Sequence, residues 1–229
     1  MKIKGITDVF FDLDHTLWDF DKNSELAFGK IFNINNLDVN VSVFLASYKP
    51  INLNYWKLYR EEKVEKEALR FGRLNDTFKE LNFKVDKAIV NKLADDYIDH
   101  LTSFNYLLDH TLEILDYLNT KYTLHIITNG FDEVQQGKLE KSKINHYFKT
   151  VTNSEMVGVK KPNPKIFDFA LNQANTTVSN SVMIGDDFEA DVLGAKNMGM
   201  ESIFFDVHNT TVNKDIKQIN SLLHLKKFL

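Results

Sequence analysis

The sequence predicts an α/β fold, a parallel sheet flanked by helices, with a separate helical domain inserted after the first strand. Three observations carry that reading. From about Tyr122 to Asp206, short apolar runs ending in Asp, Asn or Ser recur as YTLHIITN, YFKTVTNS, SVMIGDD and ESIFFD. Each is strand-length and rich in β-branched or aromatic residues. Helical patterns separate them, and strands alternating with helices read as βαβ units of a parallel sheet. From Asp19 to Asn105, by contrast, no comparable β run occurs and the apolar periodicity is helical.

The first strand reads as Ile6 to Asp12: Val9, Phe10 and Phe11 are apolar, and the run stops at Asp12, with Asp14 two residues on. A strand alternates sides with period 2, so the two acids are expected to face the same way. Two like charges that close need a cation or a shared proton. In the helical stretch, Tyr55, Leu58 and Tyr59 begin one stripe, and Ile89, Val90, Leu93, Tyr97, Ile98 and Leu101 make another. Glu61, Glu62, Lys63, Glu65, Lys66 and Glu67 read as a solvated helix face. Further on, Asn163 can cap a helix that starts at Pro164 and turns Ile166, Phe167, Ala170 and Leu171 to one side. After Asp186, Phe188, Val192 and Ala195 share a face and Gly199 marks the stop. The expected partition is a core of residues 1–17 and 106–229 and an inserted helical domain of residues 18–105. There is no internal repeat, low-complexity tract or long linker.

Bulk composition narrows the function classes. The 229 residues are 43% hydrophobic and 26% charged, an ordinary globular balance. A net charge of -4 without a long basic block argues against a nucleic-acid polymer as partner; Lys226 and Lys227 read as a solvated pair. The absence of Cys excludes disulfides and thiolate metal sites and permits a reducing compartment. The apolar run in MKIKGITDVFF is too short for a signal sequence, and nothing approaches the roughly 20 apolar residues of a membrane span. The expectation is a cytoplasmic protein with no membrane partner. Oligomeric state is not written in these features.

In an open parallel sheet, ligands bind outside the carboxyl ends of the strands. The residues placed there are Asp12 and Asp14 after the first strand, Thr128, Asn129 and Gly130 after the second, and Asp186 and Asp187 after the fourth. Lys160 and Lys161 lie between the third strand and the Pro164 helix. Three carboxylates with no Cys beside them, and His15 the one adjacent histidine, suit Mg²⁺, a hard cation that prefers oxygen ligands. Thr128 and Lys161 suit a phosphate. An Asp carboxylate can attack phosphorus, and a metal with a lysine would neutralise the transferring oxygens. Asp187 reads as a helix N-cap rather than a ligand. His100, His125, His146, His208 and His224 show no metal-ligand spacing.

DLDHT resembles the D-x-D-x-T signature of the haloacid dehalogenase-like (HAD) hydrolases, and IITNG, KKPNPKIF and GDDFEAD resemble that family's second, third and fourth motifs, in order. The resemblance covers nearly the whole chain and implies a Rossmann-like three-layer core with the helical insertion as a type C1 cap, as in subfamily IA. It also implies roles. Asp12 would be the nucleophile and a Mg²⁺ ligand. Asp14 would be general acid to the leaving group and then general base for water, reaching the metal through its backbone carbonyl. Thr128 and Asn129, with the amides that follow, would hold the phosphoryl oxygens. Lys161, rather than Lys160, would bridge nucleophile and phosphate; Asp186 would complete the metal site, with Asp191 acting through water or Lys161. ITNGFDEVQQGKLEKSKINHYF and GVKKPNPKIFDFAL further resemble the pyrimidine 5′-nucleotidase group. His15, within the first motif, and His110, where that group has Pro, depart from it. The implied substrate is a small phosphate ester, a nucleoside 5′-monophosphate with a pyrimidine base. Alternatives are a sugar-phosphate or phosphoglycolate-type phosphatase, a 2-haloacid dehalogenase, and a non-catalytic receiver-like protein. Trp18, Asn52, Trp56 and Arg73 are the candidates for substrate selection.

Overall fold

The computed structural model describes residues 2–207, 210, 213 and 215–229; His208 lies outside them. The chain forms two compact units, Met1–Phe20 with Asn105–Leu229, and Asp21–Phe104.

The first unit is built on six parallel strands: β1 (Asp8–Phe11), β2 (Thr123–Thr128), β3 (Phe148–Asn153), β4 (Ser181–Gly185), β5 (Glu201–Phe205) and β6 (Lys217–Ile219). Their order is β3-β2-β1-β4-β5-β6. The order reverses between β1 and β4, and such a switch point opens a crevice at the strands' carboxyl ends. Val9, Phe10 and Phe11 are fully buried, as expected for a central parallel strand covered on both faces. Phe11 stands opposite Ile126 on one side and Ile184 on the other, and Asp12 N continues the ladder to Ile184 O at 2.9 Å. β6 has no signal in the sequence: KQI is short and its first two residues are half-buried.

Helices in this unit are α5 (Thr111–Asn119), α6 (Asp132–Lys141), α7 (Ser154–Val157), α8 (Pro164–Ala174) and α9 (Gly194–Asn197), with a π-helical segment at Phe188–Leu193. Asn163 caps α8 by accepting from Lys165 N (3.0 Å), and Asn175, left-handed at φ 56°, ends it. Ile166, Phe167, Ala170 and Leu171 pack with Phe10, Ile127 and Met183. The segment after Asp186 departs from a simple α-helix: Val192 N reaches back to Asp187 O, five residues earlier. Gly199, at φ 78°, follows its end. His110 precedes α5 with φ 67°, a value the proline ring cannot adopt. Lys226 pairs with Glu113 at 2.8 Å instead of standing simply solvated.

The second unit contains α1 (Phe20–Ile34), α2 (Val41–Arg60), α3 (Lys66–Glu80) and α4 (Lys87–Leu101). Its interior is aromatic: Phe28 stacks on Tyr97 (4.5 Å between centroids) and meets Tyr48 edge-on at 4.8 Å. The α4 stripe is buried at Val90, Leu93, Tyr97, Ile98 and Leu101, with Ile89 at its margin. The charged run from Glu61 to Glu67 is not one helix face. It crosses the turn between α2 and α3, where Glu62 adopts φ 57°. Asn52 and Arg73 lie inside this unit: Arg73 Nη1 donates to Asn52 Oδ1 (3.0 Å), as does Tyr48 Oη (3.2 Å), and the guanidinium lies 5.1 Å from the Tyr97 ring. Trp56 packs edge-on to Tyr59 at 5.8 Å.

At the amino ends of the strands, His125 on β2 links β1 to β3. Its Nε2 meets Asp8 Oδ1 at 3.0 Å and its Nδ1 meets Thr150 Oγ1 at 2.8 Å. Thr7 and Thr176 donate to the other Asp8 oxygen at 2.6 and 2.8 Å. Burial pushes the Asp8 carboxyl up, but the bonds from Thr7, Thr176 and His125 outweigh it and hold it below the usual range. Burial also pulls His125 down against the pull of Asp8, which favours the neutral ring. A lowered Asp8 stabilises the fold above its unfolded pKa near ~4, and this contribution is lost as pH falls through the lower folded value. Asp8→Asn is therefore expected to lower the unfolding free energy at pH 7 by about 1.5–3 kcal/mol. The check is urea titration across pH; a gap to wild type that does not narrow below about pH 4 contradicts the assignment.

Candidate active site

β1 ends at Phe11, one residue short of Asp12, and the chain turns at once. His15, exposed at φ 60°, forms the bend, and its N–H donates to Trp18 O at 3.0 Å. The strand alternation expected to align Asp12 with Asp14 therefore stops before either acid. Each carboxylate is held by its own buried lysine instead.

Asp12 belongs to Lys161, whose Nζ donates to Asp12 Oδ1 at 2.7 Å and to Ile127 O at 2.6 Å and lies 2.6 Å from Asp191 Oδ1. Lys161 is held by its own backbone: Asn129 Oδ1 accepts from Lys161 N (2.7 Å) and Asn129 Nδ2 donates to Lys161 O (3.0 Å). The Asn129 side chain is thus committed to seating the lysine. Thr16 Oγ1 donates to Asp186 Oδ1 at 3.0 Å. Asp187 caps the segment after it, accepting from Glu189 N (3.0 Å) and Ala190 N (2.9 Å). The π turn that follows carries Asp191 back under β4, where its Oδ2 accepts from Asp187 N at 3.1 Å. Gly185 makes the room: a Cβ there would stand 2.1 Å from Asp191 Oδ2.

Carboxylate oxygens of Asp12, Asp186 and Asp191 lie within 4.8 Å of one another. Burial pushes all three carboxyls up, most strongly Asp186 and Asp191; Lys161 opposes the rise, while Asp14 adds to it in Asp12, Asp12 and Asp187 in Asp186, and Asp12 and Asp186 in Asp191. Burial pulls the Lys161 ammonium down, but Asp12 and Asp191 outweigh it and keep it charged. One ammonium among three carboxylates leaves negative charge uncompensated. An all-oxygen donor set with that excess fits a hard divalent cation such as Mg²⁺.

Thr128 ends β2 with its Oγ1 already accepting from Gly130 N (3.1 Å) and Gln135 Nε2 (3.0 Å). Its hydroxyl proton is what it has to offer an anion. Gln135 and Lys138, on α6, are two residues that sequence reasoning passed over. Lys138 Nζ meets Asp14 Oδ1 and Oδ2 at 2.6 and 2.7 Å, and Gln135 Nε2 also donates to Asp14 Oδ2 at 3.2 Å. A signal was present: with Val134 and Leu139 they are the buried residues of α6, so half of the inward face of this helix is polar. Trp18 is fully buried with its ring 4.7 Å from the Lys138 ammonium, so it packs within the first unit.

The haloacid dehalogenase-like hydrolase profile matches residues 9–205. The pyrimidine 5′-nucleotidase YjjG of Escherichia coli (strain K12) is 32% identical, with 96% of each chain covered. A glyceraldehyde 3-phosphate phosphatase of Methanothermobacter thermautotrophicus is 30% identical over 93% of this chain and 92% of its own. The magnesium-bound crystal structure of YfnB from Bacillus subtilis superposes with a TM-score of 0.88 at 25% identity, covering 98% of both chains. Among the described residues, no helix is long and apolar enough to cross a membrane.

The close seat of Asp191 gives a direct test. Gly185→Ala must push the Asp191 carboxylate away from Lys161, at an expected cost of about 1–3 kcal/mol of stability. Chemical denaturation measures it; a variant as stable as wild type would show that the acid has slack the geometry denies.

Proposed function

The chain belongs to the haloacid dehalogenase-like hydrolases, and on that footing we propose that it is a Mg²⁺-dependent phosphomonoesterase acting on nucleoside 5′-monophosphates with a pyrimidine preference. The observation that carries the hydrolytic part is the Asp12 carboxylate at the switch point of the sheet, ion-paired to the buried Lys161 beside Asp186 and Asp191. Asp12 attacks phosphorus, the ester P–O bond breaks, and Asp14 gives its proton to the departing alkoxide. Water then attacks the aspartyl-phosphate, its proton passes to Asp14, and the bond between Asp12 and phosphorus breaks to release inorganic phosphate. Lys161 and Thr128 hold the phosphoryl oxygens throughout. Asp12, Asp186 and the Asp14 carbonyl would hold Mg²⁺, which supplies charge neutralisation of the transferring group when bound; Asp191 would keep Lys161 in place.

Asp14 favours ester hydrolysis over dehalogenation, because halide leaving carbon needs no proton. The pyrimidine preference is supported by the likeness to YjjG over nearly the full chain. The likeness to glyceraldehyde 3-phosphate phosphatase supports a second reading, a sugar-phosphate substrate. Phosphate release measured over UMP, dUMP, dTMP, purine monophosphates and sugar phosphates separates the two: fastest turnover of the pyrimidine monophosphates is expected, and a sugar phosphate at the head of the panel overturns the nucleotide reading. Asp12→Asn is expected to lower kcat on p-nitrophenyl phosphate by about 10³-fold or more, and chelation of Mg²⁺ to abolish turnover. Retained activity in either arm defeats the mechanism.

A further inference from the structure

Among the described residues of the core unit, Lys138 is, like Lys161, a buried ammonium; it is 1% exposed, and nothing in the proposed chemistry uses it. A buried lysine–carboxylate pair adds little net stability, since desolvation offsets most of its attraction. What it fixes well is geometry. Lys138 grips both oxygens of Asp14 while its ammonium lies 4.7 Å from the Trp18 ring and 5.6 Å from the Phe20 ring, contacts that limit where the nitrogen can move. Gln135, three residues earlier on the same face of α6, donates to Asp14 Oδ2 and to Thr128 Oγ1. It reaches both only because residue 130 is glycine: a Cβ there would stand 1.5 Å from Gln135 Nε2. Asp14 itself lies in a turn beyond the end of β1, outside the sheet ladder. A base on such a turn must be held to within a fraction of an ångström by groups on rigid elements.

We propose that Lys138 and Gln135 are positioning residues that hold the Asp14 carboxylate where it accepts the proton of the water attacking the aspartyl-phosphate. The inference rests on the acid–base reading of Asp14 above. In that step the water oxygen bonds to phosphorus, the electron pair of the breaking bond returns to Asp12, and the water proton goes to Asp14. Lys138 and Gln135 touch none of the reacting atoms.

The test uses p-nitrophenyl phosphate with saturating Mg²⁺. Nitrophenolate leaves without a proton, so kcat/KM reports formation of the aspartyl-phosphate without help from Asp14, while kcat reports its hydrolysis. Lys138→Met and Gln135→Leu are expected to lower kcat and KM together, by about 10²-fold and 10-fold respectively, and to leave kcat/KM within about threefold of wild type. Lys138→Arg, which keeps a cation able to grip both oxygens, is expected to recover most of kcat. Asp14→Asn, run alongside, should show the same split. If Asp14→Asn splits the constants but Lys138→Met and Gln135→Leu leave kcat unchanged, or lower kcat/KM as much as kcat, the positioning role is wrong and the reading of Asp14 stands. If Asp14→Asn itself leaves kcat unchanged, the acid–base reading falls and takes this inference with it. Should Lys138→Met fail to fold, Gln135→Leu decides by the same split.

Discussion

The contact on which the core of this protein depends is that of the Lys161 ammonium with Asp12, Asp191 and the Ile127 carbonyl. It joins β1, the end of β2, the loop before α8 and the π turn after β4 through one nitrogen. Without it, three crowded carboxylates would lack the ammonium that offsets their charge, and the pairing of β1 with β4 would bring like charges together. Much of the nearby sequence serves this contact. Asn129 seats the lysine backbone from both sides, and Gly185 is bare so that Asp191 can approach.

The first-motif acids, two residues apart, are divided by the two lysines. Asp12 faces Lys161 from the sheet end; Asp14 is drawn toward α6 by Lys138 and Gln135. The turn at His15 makes this possible, because it breaks the alternation that would have set both acids on one side. Neighbouring carboxylates with different partners are free to do different work, which is what the proposed two-step displacement requires. The remaining excess of negative charge around Asp12, Asp186 and Asp191 fits a divalent cation.

Much of the core was legible because its signals are local. Alternation of β-branched runs with helical patterns marks β1 to β5, and the polar residues that end those runs mark the rim where Asp12, Thr128 and Asp186 sit. The Asn163-Pro164 start of α8 is stated by two adjacent residues. The misses share a cause as well. The charged run from Glu61 to Glu67 has helical composition, and only Glu62 turning left-handed shows that it is a corner. Lys138 looks like any lysine of a polar helix until α6 is docked. Arg73 and Asn52 carry the residue types of a ligand site, yet each is occupied by the other inside the helical unit.

By itself, the sequence determined the parallel α/β architecture, the family, and the set of strand-end residues from which a site is assembled, because hydrophobic period and motif order are properties of the chain read along its length. Tertiary structure decided which acid meets which lysine. Asp14 and Lys138 are 124 residues apart, Asp12 and Lys161 149, and no local pattern links positions so distant. Their pairing follows from strand order, from a backbone turn at His15 and from two places where a missing Cβ leaves space for a side chain.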